Sequence, residues 1–190
     1  LVPNFYGLWP ERFNNKTNGV TPRRWVALAN PDLTALVTEH IGEGFIRDAD
    51  QLRELEPLAE DAAFREKFRA VKLANKTRLA DHIQQLLRVT VDPASLFDIQ
   101  IKRIHEYKRQ LLSVMHIMDR YLRIVEDGEL PDAPRTFLFA GKAAPGYWAA
   151  KEIIRLIHHV GKVVAADPKA REWMSVVFLP DYRVSLAERI

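Results

Sequence analysis

The chain has 190 residues, of which 47% are hydrophobic and 28% charged, a balance typical of a globular protein with its own core. It contains no cysteine, which excludes disulfides and thiolate chemistry and favours a reducing, cytoplasmic location. A net charge of +3 is too small to indicate nucleic acid, and no apolar run is long enough to cross a membrane, so neither is predicted as a partner.

Helix signals come first along the chain. Arg23 to Leu28 could form a short helix, and Asn30 and Pro31 form an N-cap and first-turn pair that opens another helix. Gly42 is expected to end that helix. A longer amphipathic helix is predicted over residues 61–88, with one inward face formed by Phe64, Phe68, Val71, Leu79, Ile83 and Leu86.

The pattern then changes within FDIQIKRIHEYKRQ, residues 97–110. Its first half alternates like a strand, and from about His105 the spacing becomes helical. The predicted buried face of that helix consists of Tyr107, Leu111, Val114, Met118, Tyr121 and Val125. Two buried strands, 135–140 and 173–179, flank a helix predicted over 147–160. Strands that alternate with helices indicate an α/β fold with a three-layer parallel sheet.

A dense group of cations occupies the predicted strand-to-helix junction: Lys102, Arg103, His105, Lys108 and Arg109. Such junctions are where α/β sheets bind ligands, and a helix start attracts anions. If the helix begins near His105, Lys108 lies in its first turn, where the helix dipole disfavours a cation, and such broken rules mark functional sites. A solvated basic surface is the alternative; we favour an anion site, with phosphate as its ligand.

Several chemistries find no support in the sequence. His105 and Glu106 resemble the start of a zinc-protease helix, but Arg109 stands where the second histidine would be, so no metal site is predicted. GKAAPG (141–146) lacks the spacing of an ATP-binding phosphate loop, and there is no GxSxG nucleophile motif.

Four ordered motifs resemble the α-glucan phosphorylases, the family of glycogen, starch and maltodextrin phosphorylases. They are NKTNGVTPRRW (15–25), LFDIQIKRIHEYKRQLL (96–112), FAGKAAPGY (139–147) and VVFLPDYRVSLAE (176–188). The resemblance runs in order over nearly the whole chain. It implies a three-layer, Rossmann-like parallel sheet that forms part of the C-terminal domain of a two-domain, GT-B-type glycosyltransferase fold.

The activity that the resemblance implies is reversible phosphorolysis. Inorganic phosphate removes the terminal glucose of an α-1,4-glucan as glucose 1-phosphate, and the phosphate of pyridoxal 5'-phosphate takes part in proton transfer. Two phosphates must lie close together, and their repulsion requires dense cationic compensation. A cytoplasmic homodimer is implied for the whole protein.

The motifs also carry residue roles. Lys102 matches the lysine beside the cofactor phosphate, and Arg103 and Lys108 match the pair that holds the substrate phosphate. Tyr107 matches a glucosyl contact, although a core aromatic in line with Leu111 is an equal alternative. Asn18 matches a glucose-contacting residue, against the alternative of a turn former.

Further matches concern the cofactor pocket and the cleft. Trp25 matches a pocket aromatic, with core packing as the alternative, and Tyr182 matches a residue that lines the cofactor. For Arg183, a place in that pocket and a place in solvent are equal alternatives. Gly141 and Tyr147 match a turn at the cleft entrance, where Tyr147 is either a purine-stacking aromatic or a plain exposed one.

The sequence also departs from the family pattern. The lysine that binds the cofactor covalently belongs to a motif absent from residues 1–190, and the N-terminal domain is not represented. We therefore expect a fragment: residues 1–18 as an interdomain crossing and 19–190 as the first half of the cofactor domain, inactive alone. A nucleotide-sugar glycosyltransferase of similar fold is one alternative, and a non-catalytic basic binding module is another.

Overall fold

The structure is a computed structural model that describes residues 2–16 and 19–190. Contacts divide the chain into two compact units, Leu1–Pro57 and Leu58–Ile190. The predicted domain boundary after residue 18 concerns the whole protein and stays a prediction. Across the described residues, no helix is both long enough and apolar enough for a membrane crossing.

The first unit consists of short helical segments. Its helices are α1 Pro3–Leu8, a π-helix Arg23–Leu28 and α2 Pro31–Ile41, with 3-10 turns at Pro10–Arg12 and Gly44–Ile46 and a longer 3-10 segment, Ala49–Glu60, that runs into the second unit. The Asn30 side chain accepts a hydrogen bond from the Leu33 amide at 3.2 Å, which caps α2. Gly42 ends α2 with φ of 76°, a conformation that favours glycine. Both caps and the Arg23–Leu28 helix confirm the sequence predictions.

The second unit alternates helices and strands. In chain order it contains α3 Ala62–Leu87, β1 Leu96–Ile101, a 3-10 turn Glu106–Lys108, α4 Gln110–Leu122, a π-helical extension Arg123–Asp127, β2 Arg135–Ala140, α5 Trp148–Ala166, β3 Met174–Leu179 and α6 Val184–Arg189. All three strands and α3 were predicted within a residue or so. The helix α5 passes its predicted end because Val160 and Val164 continue its buried stripe.

The three strands form one parallel sheet in the order β1-β2-β3. Leu96 pairs with Arg135, and Arg135 pairs in turn with Met174, so the three carboxyl ends meet at one edge. Alternate residues of β2 point to opposite faces. Phe137 and Phe139 pack with α4 and α5 on one face, and α3 and α6 cover the other. The predicted three-layer α/β fold is confirmed.

Two predicted buried faces are partly wrong. In α3, Leu79 and Ile83 are buried, but Phe68 and Leu86 are exposed. Phe68 is exposed because only the second half of this helix packs on the sheet, and Leu86, near the helix end, is not among the residues that do so. The described contacts of Phe68 include a stack on Phe64 with ring centroids 6.5 Å apart.

The helix after β1 begins later than predicted. It starts at Gln110, because Arg109 adopts the left-handed conformation with φ of 63° and interrupts the helical path. Lys108 therefore lies in a 3-10 turn and not in the first turn of α4, so the argument from the helix dipole does not apply to it. The shift also moves the buried face of α4 to Gln110, Val114 and Ile117, and leaves Tyr107, Leu111 and Met118 exposed.

Candidate anion-binding site

The cationic loop, residues 103–109, joins β1 to α4 at the carboxyl edge of the sheet. The β1–β2 pairing continues past the strand end, since the Lys102 amide donates to the Ala140 carbonyl and the Ile104 amide to the Lys142 carbonyl, both at 3.1 Å. The Ile104 side chain is buried in the core with α4 and α5. The loop is thus anchored at Ile104, and the side chains of Lys102 and Arg103 remain exposed.

Gly141 lets the turn after β2 approach this anchor. A Cβ atom at Gly141 would collide with the Lys102 carbonyl oxygen and crowd the Ile104 side chain. Any side chain would therefore push the two turns apart. The residue predicted for the cleft entrance has a demonstrable packing role.

Tyr147 joins the same two turns through polar contacts. Its hydroxyl donates to Glu106 Oε2 at 2.6 Å and accepts from the Glu106 amide at 3.2 Å. The bond to the Glu106 carboxylate raises the pKa of Tyr147, because losing the phenolic proton would place two negative charges together. The His105 ring lies 5.0 Å from the Tyr147 ring, centroid to centroid. An open hollow of about 490 Å³ lies between these two turns.

The cations at the loop are available to a ligand. Within the described part of the chain, Lys102, Arg103, Lys108 and Arg109 form no ion pair. Lys108 lies over the Tyr107 ring with its ammonium 4.8 Å from the centroid. Four cations against one carboxylate repel each other, and a multiply charged anion relieves that repulsion. Arginine can bind such an oxyanion in a bidentate manner, and lysine adds a compact charge.

Sequence reasoning missed Gln110, which is 0% exposed. Its Nε2 donates to the Arg103 carbonyl at 3.0 Å, and its Oε1 accepts from the His105 amide at 3.4 Å. Leaving such a buried amide without partners costs about 1–3 kcal/mol, so the loop and the side chain depend on each other. The available signal was spacing, because Gln110 falls on the helical stripe of Val114 and Ile117 despite its polarity.

Comparison with known proteins identifies the family of this chain. The family model described as carbohydrate phosphorylase matches residues 1–190. A glycogen phosphorylase of Synechocystis sp. is 50% identical over 190 residues, which cover 100% of this chain and 22% of that relative. The human muscle form of glycogen phosphorylase is also 50% identical over 100% of the chain and 23% of its own length, and the Bacillus subtilis glycogen phosphorylase is 50% identical over 98% and 23%.

The chain belongs to the carbohydrate phosphorylase family. It spans little more than a fifth of the length of these phosphorylase relatives.

The phosphorylase fold brings together most of the residues predicted for the site. Lys102, Arg103, Tyr107 and Lys108 all lie on or beside the cationic loop, and Gly141 and Tyr147 lie in the turn against it. Tyr107 is 68% exposed, so the alternative of a core aromatic is wrong. Tyr147 is half-buried and packs against the core, so it is not a plain exposed turn aromatic.

The predicted pair after β3 lies apart from the cationic loop. Tyr182 packs on the core formed with α3 and α6. Arg183 is exposed, and its guanidinium donates to Ser185 Oγ at 3.0 Å and the Asp181 carbonyl at 3.3 Å. Among the residues that the structure describes, no hydrogen bond or ion pair joins either one to the loop.

Two further predicted residues belong to the first unit of this phosphorylase chain. Trp25 lies in the Arg23–Leu28 helix and is 40% exposed, so it is not buried in a core within its own unit. Asn18 lies outside the described residues. The roles of both residues stay predictions.

Proposed function

We propose that this chain is part of an α-1,4-glucan phosphorylase, which uses inorganic phosphate to release the terminal glucose as glucose 1-phosphate in a reversible reaction. One observation supports the proposal above others. In this member of the carbohydrate phosphorylase family, the cationic loop lies at the edge where α/β sheets bind ligands, and its cations have no acidic partner among the described residues.

The cations divide between two phosphates in this proposal. Lys102 contacts the phosphate of pyridoxal 5'-phosphate, and its exposed, unpaired position after β1 fits that group. When bound, this cofactor supplies a phosphate for proton transfer with the substrate phosphate. Arg103 and Lys108 bind and orient the attacking phosphate. Two like unit charges 4 Å apart repel by roughly 4 kcal/mol at an effective dielectric constant of 20, which is the repulsion that these side chains must offset.

The remaining residues would shape the sugar and cofactor pockets. Tyr107, exposed beside Lys108, contacts the glucosyl unit together with Asn18. By resemblance to the family, Trp25, Tyr182 and Arg183 are each proposed to contact the cofactor.

Gly141 and Tyr147 form the entrance to the cleft, and the lysine that binds the cofactor covalently lies outside residues 1–190. Glucan, phosphate and glucose 1-phosphate are the proposed partners, without nucleic acid or membrane. The whole protein is proposed to be a homodimer located in the cytoplasm, and the lack of cysteine in residues 1–190 supports the proposed location.

The test is an assay of the full-length protein from the complete reading frame, with pyridoxal 5'-phosphate bound. We expect glucose 1-phosphate to form from glucan only when inorganic phosphate is present. No product from a cofactor-loaded protein would overturn the proposal. Release of a nucleoside diphosphate from a nucleotide sugar would instead support a glycosyltransferase of similar fold, and strongly salt-dependent binding to unrelated duplexes would support a basic binding module.

A further inference from the structure

The backbone of the cationic loop depends on side chains from outside the loop. Its own regular structure is a single 3-10 turn, in which the Lys108 amide donates to the His105 carbonyl at 2.9 Å and the Arg109 amide to Glu106 at 3.0 Å. The Arg103 carbonyl and the His105 amide, which flank the buried Ile104, both bond to Gln110. The loop geometry is therefore set from α4.

The two ends of the Gln110 amide do different work. The Nε2 group donates to Arg103 at 3.0 Å and fixes the peptide that carries the Arg103 side chain. The Oε1 atom accepts from His105 at the longer distance of 3.4 Å. Because Gln110 is the first residue of α4 and is fully buried, its amide has little freedom to turn away.

A second glutamine holds the far side of the loop less firmly. Gln100, on β1, donates from Nε2 to the Lys108 carbonyl at 3.3 Å. Its Oε1 atom is buried and has no hydrogen-bond partner in the described residues. Only half of this amide is used, so Gln110 is the stronger of the two contacts.

We propose that Gln110 is a positioning residue for phosphate binding, which acts by holding the backbone from which Arg103 projects, while Gln100 holds the backbone at Lys108. This inference rests on the proposed function, in which both cations bind the attacking phosphate. It goes further by assigning the geometry of that phosphate site to a side chain that touches no ligand.

The experiment uses the full-length, cofactor-loaded protein and the variant Gln110→Met, which keeps the approximate size of the side chain and removes both hydrogen bonds. We expect the KM for phosphate to rise about tenfold to a hundredfold, because small displacements of binding groups cost that much. The KM for glucan should rise less than the KM for phosphate, because Tyr107 is only one of the proposed sugar contacts, whereas both Arg103 and Lys108 lie on this loop. Hydrogen exchange of the loop amides should accelerate, most of all at His105.

Val114→Ala is the matched control. Val114 lies one turn further along the buried stripe of α4, is fully buried and makes no described hydrogen bond to the loop through its side chain. This change loosens the same helix and core without removing a loop contact. Equal rises in the KM for phosphate in the two variants would overturn the proposal, as would parallel rises for phosphate and glucan.

Gln110→Glu is a second variant that tests the same proposal if Gln110→Met does not fold. An ionised carboxylate cannot donate to the Arg103 carbonyl, whereas a protonated carboxyl group can. We expect the defect in phosphate binding to lessen as the pH falls, relative to the pH profile of the unaltered enzyme. A defect with an unaltered pH profile would contradict the proposal. If the unaltered enzyme does not use phosphate at all, the proposed function fails. The role of Gln110 in phosphate binding then fails with it, even if hydrogen exchange shows that Gln110 holds the loop.

Discussion

Two turns leave the same edge of the sheet but are held in different ways. The cationic loop after β1 is held by side chains from elsewhere, with Gln110 on one side and Tyr147, 41 residues along the chain from Glu106, on the other. In the turn after β3 the cation is held locally: Arg183 bonds to Ser185 and to the Asp181 carbonyl, each only two residues away, while Tyr182 packs on the core.

The difference bears on where a charged ligand can bind without rearrangement. A loop fixed from several elements keeps its cations in place before the ligand arrives, and such preorganisation favours tight and selective binding. A cation whose hydrogen bonds are all to its own turn is less firmly placed relative to the rest of the domain. We therefore expect phosphate recognition to depend on the loop after β1 and to be less sensitive to changes in the turn after β3.

The sharpest test compares Arg103→Ala with Arg183→Ala in the full-length enzyme. Loss of Arg103 should lower kcat/KM for phosphate about a hundredfold or more, the usual effect of removing one transition-state charge contact. Loss of Arg183 should lower it less than about tenfold, because this exposed side chain contacts its own turn. Phosphorolysis rates at varied phosphate provide the measurement, and equal losses would contradict the comparison.

The next test concerns the packing between the turns. Gly141→Ala places a Cβ atom against the Lys102 carbonyl oxygen, and we expect local destabilisation of about 1–3 kcal/mol, the usual cost of overpacking. Gly146→Ala is the matched control in the same turn, because a Cβ there meets nothing within 4 Å. Hydrogen exchange at the Lys102 and Ile104 amides reports the difference, and equal protection in both variants would show that the close approach is unimportant.

A smaller effect on stability is expected from replacing the residue with positive φ that each of the two turns contains. Arg109 (φ 63°) closes the loop after β1, and Asp181 (φ 52°) lies in the turn after β3. Replacing either by glycine removes up to about 1–2 kcal/mol of backbone strain but adds unfolded-state entropy. We expect Arg109→Gly to be stabilising, because no described side-chain contact is lost, and Asp181→Gly to be nearly neutral, because aspartate tolerates this conformation better. Local exchange free energies provide the measurement, and a destabilised Arg109→Gly variant would contradict this expectation.

The smallest effect concerns pH at the turn after β3. Burial, followed by the charges of Arg189 and Arg183, lowers the pKa of His82 below its ordinary value of 6.5. The folded protein thus favours neutral His82, whose Nδ1 accepts from Arg189 at 3.2 Å. Its contribution to stability is complete above pH 6.5 and is lost as the pH falls through the lowered pKa. Thermal unfolding at pH 7 and pH 5 should show a smaller acid-induced loss for His82→Gln than for the unaltered protein, and an equal loss would exclude this contribution.

Much of the architecture follows from residue patterns. The three strands alternate or run as short apolar segments, and the caps at Asn30 and Gly42 confirm the ends of α2. The position of the candidate site also follows, because cations after a β-strand of a parallel sheet must lie at its carboxyl edge.

Other features depend on contacts that no local pattern reveals. The start of α4 is displaced by the left-handed Arg109, a conformation that its residue type does not suggest. Gln110 is polar and would be assigned to the surface, yet its partners are backbone groups of the loop that it holds. The exposure of Phe68 is equally hidden, because it depends on how far α3 extends beyond the sheet.

The contacts of Gln110 also bear on the order of folding. They join residues only five and seven positions apart, whereas the contact of Tyr147 with Glu106 spans 41. Short loops close with a smaller entropic cost and in less time than long ones. The corner between β1 and α4 can therefore form early, and the slower, non-local contacts with Lys142 and Tyr147 then complete the loop when β2 joins the sheet.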